Sequence, residues 1–257
     1  MNTPTIPRTI HDANALVDKV CVVTGGTRGI GRAIAKMLLT EGAQVAICGL
    51  RQENVDAAVL ELSAETGGKV KGKVADVKNH EQVGELFQFV DAHFGGLDVL
   101  VNNAGVGVFR PVQELSLEEW RSTIDTNLSG AFYCSREALF RFVTKSSGYI
   151  VNINSLAGAN AFAGGSAYNA SKFGLTGFSE AMMQDVRSEN VRVSYVMPGS
   201  VATAFGGHGE AGDGSNWKIW PEDVAEIVRM LLKMPVRTLI SRVEARPLKT
   251  STTGPKR

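Results

Sequence analysis

Long apolar runs are missing from this sequence. Nothing in its 257 residues approaches the roughly 20 consecutive apolar positions that cross a bilayer as a helix. An excess of one charge is missing too: 27 Lys and Arg against 26 Asp and Glu leave +1, with no basic block. That excludes nucleic-acid recognition through a basic footprint. Cysteine is scarce, and Cys21, Cys48 and Cys134 lie far apart in apolar or helical surroundings. Such a set reads as buried thiols in a reducing compartment, so a cytoplasmic location is expected. The four histidines, His11, His80, His93 and His208, have no ligand spacing, so no metal site is expected. A Gly-x-Ser-x-Gly elbow is absent, which disfavours a hydrolase. The segment from Met1 to Asp12 is polar, carries Pro4 and Pro7 and lacks a signal-type apolar core. Residues 1–16 are expected to form a loose leader and residues 248–257 a flexible basic tail.

What is present is an alternation of short apolar runs with amphipathic ones. Strands are predicted over 19–24, 44–48, 70–75, 97–101, 148–153, 191–196 and 238–244. Helices are predicted over 32–41, 52–66, 80–94, 116–145, 166–190 and 221–233. Strand–helix alternation over 17–247 without a linker predicts one α/β domain. Its architecture is a single doubly wound Rossmann fold, a mostly parallel seven-stranded sheet with helices on both faces. Residues 203–220 are glycine-rich and aperiodic, as suits a cover over a pocket. Asn127-Leu-Ser129 and Asn169-Ala-Ser171 match the glycosylation pattern but fall in predicted structured segments, so both read as chance.

Three stretches carry chemistry. The first, Thr24-Gly-Gly-Thr-Arg-Gly-Ile-Gly31, joins the first strand to the first helix. Glycines let a backbone approach phosphates, and a helix N-terminus favours their charge, so this is a candidate pyrophosphate turn. An acid at the end of the second strand would favour NAD. Gly49-Leu-Arg51 has none, while Arg28 and Arg51 offer the planar donor fork that suits a 2′-phosphate. The other reading of both arginines is solvated surface charge. The second stretch, Asn102-Asn-Ala-Gly105, is a strand exit against which a cofactor can lie. In the third, Ser155 ends an apolar strand and Tyr168 and Lys172 stand four apart, on one face of a helix. An ammonium one turn away favours a phenolate, so Lys172 is expected to lower the Tyr168 pKa. Asn127 lies amid an apolar helical pattern, where it must be hydrogen-bonded, as a structural bridge or as part of a site. Gly107, Val108, Phe109, Leu156, Phe162 and Phe205 are candidate linings of an apolar pocket.

These motifs, together with Asp76-Val77 and Pro198-Gly199, resemble in residues and order the classical short-chain dehydrogenase/reductase family, from about Val17 to Pro247. The 3-oxoacyl-(acyl-carrier-protein) reductase branch is the nearest in pattern. The resemblance implies Tyr168 as general acid/base and Ser155 as the donor orienting the substrate carbonyl. It implies Lys172 on the nicotinamide ribose and Asn127 at a water linking Lys172 to solvent. Gly25, Thr27, Arg28, Gly29, Ile30 and Gly31 match the pyrophosphate turn, with Arg51 near the adenosine ribose. Asp76 and Val77 match adenine contacts, and Asn103, Ala104 and Gly105 the strip along the cofactor. Pro198, Gly199, Val201 and Thr203 match the segment holding the carboxamide. The activity implied is hydride transfer between NADP(H), with NAD(H) less favoured, and a small carbonyl or secondary alcohol. A homodimer or homotetramer is implied, with neither nucleic acid nor membrane as partner. Relatives that use NADP often carry arginine where this chain has Leu50, so the preference rests on Arg28 and on Gly49. A non-catalytic NADP-binding sensor is the competing reading, and the intact Asn-Ser-Tyr-Lys set argues against it.

Overall fold

A computed structural model of the chain describes residues 15–207 and 217–249. The expected leader and tail, and the middle of the expected cover, fall largely outside them.

The apolar runs become strands, buried at the centre of the sheet and partly exposed at its edges: β1 Val20–Val23, β2 Gln44–Gly49, β3 Val70–Val74, β4 Val99–Asn102, β5 Gly148–Ile153, β6 Val191–Pro198 and β7 Arg242–Ala245. They form one sheet in the order β3-β2-β1-β4-β5-β6-β7. Every pairing is parallel, for example Cys21 beside Val45 on one side and Val99 on the other. The helices are α1 Gly29–Thr40, α2 Gln52–Thr66, α3 His80–Phe94, α4 Leu117–Ile124, α5 Gly130–Lys145, α6 Ser166–Val186 and α7 Pro221–Leu232. The period-two alternation of β1 divides the core. Cys21 and Val23 join Ile34, Leu38, Leu62 and Val228 beneath α1, α2 and α7. Val20 and Val22 join Phe87, Val90, Ala138 and Met182 beneath α3, α5 and α6. Covering both faces is what a fully parallel sheet requires. Each buried Val, Ile, Leu or Phe stabilises this arrangement by roughly 1.5–3 kcal/mol.

The strand order reverses at the β1/β4 boundary, with β2 and β3 laid down to one side and β5 to β7 to the other. A crevice therefore opens beyond the C-terminal ends of those strands, where open α/β sheets bind ligands.

The structure departs from the sequence pattern in a few places. The helix predicted over 116–145 is two helices joined by a π turn, Asp125–Ser129. Packing is close where the turn ends, since a Cβ on Gly130 would lie 2.8 Å from Val77 Cγ2, and Asn127 within it is buried. The α1 helix starts at Gly29 rather than 32, with Arg28 extended at its N-cap. The α6 helix ends at Val186, and a 3₁₀ turn leads to Asn190 at φ 57°. The last strand starts at Arg242, because the Thr238 N–H turns back to the Pro235 carbonyl (2.8 Å). No helix among the described residues is long and apolar enough to cross a membrane.

Candidate active site

The glycine turn is held by the strand beside it. Thr24 Oγ accepts from the Asn103 and Ala104 N–H groups, both at 3.0 Å. Asn103 Nδ2 donates back to the carbonyls of Thr24 (2.9 Å) and Gly25 (3.2 Å). This clasp fastens the exit of β1 to that of β4. Gly31 completes it: a Cβ there would lie 2.3 Å from the Gly25 oxygen and 2.4 Å from Asn103 Nδ2, so only glycine fits. Gly25 and Gly29 have φ of +63° and +53°, the left-handed region glycine enters without strain. The α1 N-terminus opens onto this turn, and Thr203 lies over it, 3.3 Å from where a Gly29 Cβ would be. Arg28 and Arg51 are exposed at the N-caps of α1 and α2, and neither side chain caps its helix.

Asn127 is a bridge. Its Oδ1 accepts from the Val106 N–H (2.8 Å), and its Nδ2 donates to the Val106 carbonyl and to Ser171 Oγ, both at 2.9 Å. It thereby joins the Asn103–Gly105 strip to α6. With its side chain committed, the asparagine shapes a small neighbouring cavity. That space, about 10 Å³, lies between Asn127, Thr126, Asn102 and Lys172 and has room for about one water. The buried Asn102 Oδ1 has no protein partner.

Ser155 caps the 3₁₀ turn Leu156–Gly158, accepting from the Ala157 N–H at 3.1 Å. Tyr168 and Lys172 lie one turn apart on α6, 8% and 5% exposed. The lysine does not act on the phenol as its spacing predicts. Its Nζ donates to the Ile153 carbonyl (3.1 Å) at the end of β5, 5.8 Å from the Tyr168 ring centroid. Burial pushes the Tyr168 pKa above the ordinary phenol value, and the Ser155 hydroxyl alone offsets part of that rise. Burial likewise lowers Lys172 to about 8. Desolvation sets the direction in both groups, since it penalises the charged form of each.

The remaining expected residues divide. Asp76 follows β3, with Lys78 N–H on its Oδ1 (3.0 Å), and its own N–H donates to Gln82 Oε1 (2.8 Å). Val77 follows Asp76, 5% exposed, with its side chain against Gly130. Pro198 ends β6, Gly199 N–H donates to the Ala245 carbonyl (2.8 Å), and Val201 bridges to Ile219.

Two organising residues stood within the motif stretches but were given no role in the sequence reading. One is Thr24, whose signal was its place between strand and glycines. The other is Asn169, whose Nδ2 donates to the carbonyls of Ala157 (2.7 Å) and Asn160 (3.1 Å) and staples the Ser155 loop to α6. Asn127 and Asn169 are both buried, so neither is open to glycosylation. Asn169→Ala should lower unfolding stability in urea by about 1–3 kcal/mol, because two carbonyls lose their donor. Asn169→Asp, which keeps the acceptor and removes both donors, should do no better. Wild-type stability in the Asp variant would show that those donors do not hold the loop.

Fold and site together define a doubly wound nucleotide-binding α/β protein with a serine, a tyrosine and a lysine gathered at the sheet's C-terminal edge. The family model for short chain dehydrogenases matches residues 19–212. The 3-oxoacyl-(acyl-carrier-protein) reductase FabG of Chlamydia muridarum is 42% identical over 189 residues, 73% of this chain and 76% of that protein. Among solved structures, an alcohol dehydrogenase from the archaeon Thermococcus sibiricus, complexed with 5-hydroxy-NADP, superimposes with a TM-score of 0.85 at 31% identity. It covers 90% of this chain and 97% of its own. A metagenomic short-chain oxidoreductase in complex with NADP gives 0.81 at 35% identity, covering 92% and 100%. The chain belongs to the short-chain dehydrogenase family of oxidoreductases.

Proposed function

We propose that this protein is a ketone reductase, interconverting carbonyl compounds and secondary alcohols with NADP(H). The observation that carries the reading is the convergence of Ser155, Tyr168 and Lys172 beside the glycine turn at the sheet's reversal point. The glycine turn and the α1 N-terminus that opens onto it support a dinucleotide, because a helix N-terminus favours phosphate charge, and the Asn103–Gly105 strip lies beside them. The nicotinamide, when bound, exchanges a hydride with the substrate carbon.

As carbon gains a hydride, its oxygen gains charge and needs a placed donor and a second hydrogen bond. Tyr168 Oη gives the proton, and Ser155 Oγ holds the oxygen. The raised phenol pKa keeps that proton on Tyr168 at neutral pH, which suits reduction. Lys172 binds ribose hydroxyls, and the cavity next to it supports a water relay at Asn127. NADPH consumption with a panel of ketones tests the reading. Tight NADPH binding with no consumption across the panel would favour the sensor instead.

NADP preference draws support from the exposed Arg28 and from the lack of an acid at the end of β2. Arg28→Ala should raise the KM for NADPH about tenfold or more, the scale of a lost charge-assisted bond, and leave that for NADH nearly unchanged. A wild-type preference for NADH would overturn the assignment. Exposed Phe132, Phe140 and Phe173 on α5 and α6 support self-association as a dimer or tetramer, which sedimentation measures. Three buried, unpaired cysteines support a cytoplasmic location.

A further inference from the structure

Tyr168 lies under phenylalanine rings that belong to none of the family motifs. Phe109 meets its ring edge-on at 5.4 Å and 73°. Phe205 tilts against the other side at 5.8 Å, and Phe162 stands 5.8 Å from Phe109. The three come from separate loops: after β4, before α6 and after β6.

Bare backbone makes room for them. A Cβ on Gly107 would lie 2.5 Å from the Phe205 ring and 2.9 Å from Phe109. One on Gly206 would lie 2.8 Å from Phe109, and one on Gly165 2.6 Å from Phe162. Asn169 Oδ1 also receives the Phe162 N–H, at 3.3 Å. Even so, Phe109 and Phe162 remain 39% and 46% exposed, while the Tyr168 they surround is 8% exposed. An apolar rim over a buried polar hydroxyl is the make-up of a small-molecule pocket. Arg110, next to Phe109, is committed to Glu119 at 2.7 Å. Among the described residues, Arg110 is the one cation next in sequence to any of these rings, and it is already paired.

We propose that these rings are the substrate-recognition walls, and that the preferred substrates are uncharged aryl ketones rather than 3-oxoacyl thioesters. The inference rests on the ketone-reductase reading. A flat aromatic group meets ring edges and faces with complementary quadrupoles, whereas a saturated ring of equal bulk offers only dispersion contact.

The test compares kcat/KM for acetophenone, cyclohexyl methyl ketone and acetoacetyl-CoA in the wild type and in Phe109→Leu, Phe162→Leu and Phe205→Leu. Leucine keeps apolar bulk and removes the ring. Intrinsic ketone reactivity cancels when the acetophenone-to-cyclohexyl ratio is compared between variants, because Tyr168 is unchanged. That ratio should fall about 3- to 10-fold for each ring removed, and the thioester should be the poorest substrate of the wild type. A ratio unmoved in all three variants, or a thioester preferred by the wild type, would overturn the proposal and leave the reductase reading standing. Failure of the folded wild type to consume NADPH with any of the three would overturn both.

Discussion

Tyr168→Phe should lower kcat for ketone reduction by about a thousandfold, within the range general acid catalysis contributes. The substitution removes one hydroxyl and keeps the ring. The contacts of that ring with Phe109 and Phe205 therefore persist, and the pocket does not collapse. The glycine turn and the Thr24–Asn103 clasp lie on other elements, so NADPH affinity should move by no more than about threefold, well under one hydrogen bond's worth. Stopped-flow turnover beside fluorescence titration of NADPH separates the two effects. A variant within tenfold of wild-type turnover would remove Tyr168 from the chemistry.

Lys172→Met should have two opposite effects, a loss of activity and a gain in stability at neutral pH. Folding moves this amine from 10.5 to about 8. At 1.36 kcal/mol per pKa unit, that is about 3 kcal/mol of penalty on the charged form. Below pH 8 both folded and unfolded chains hold the proton, and the penalty acts in full. Between pH 8 and 10.5 the unfolded chain binds more protons than the folded one, so wild-type stability rises with pH. Methionine fills a similar volume without charge, but it abandons the Ile153 carbonyl, which costs about 1–2 kcal/mol. A net gain of about 1–2 kcal/mol is therefore expected at pH 7. That gain should shrink as pH rises and reverse near pH 10. Urea denaturation at the two pH values measures it, and a gap independent of pH would mean that the amine is not desolvated. Turnover should fall at least about a hundredfold, for want of the amine proposed to hold the nicotinamide ribose in place.

Local chemistry governed what could be read along the chain. Strands were legible as short continuous apolar runs, as in Val20 to Val23 before the glycines, and helices as a 3.6 period in apolar residues. The α2 and α3 helices end as read, at Gly67 and Gly95, which adopt the left-handed cap conformation. Gly31 was legible because a motif glycine reports close backbone approach, and the Gly25 carbonyl is what approaches. Ser155, Tyr168 and Lys172 were legible because their spacing within a strand end and one helical turn is local.

Tertiary packing decided the rest. The π turn at Asp125–Ser129 ends where Gly130 meets Val77, a pair 53 positions apart (130 − 77) that no periodicity links. Lys172 obeys the helical spacing, yet its amine goes to the Ile153 carbonyl, because a buried ammonium takes the nearest acceptor. The phenylalanines around Tyr168 come from three loops, and only the closure of the sheet brings them together. Residue order and local chemistry thus determined the elements and the reactive groups. Desolvation and long-range packing, which depend on what lies across the fold, determined the protonation of those groups and the walls around them.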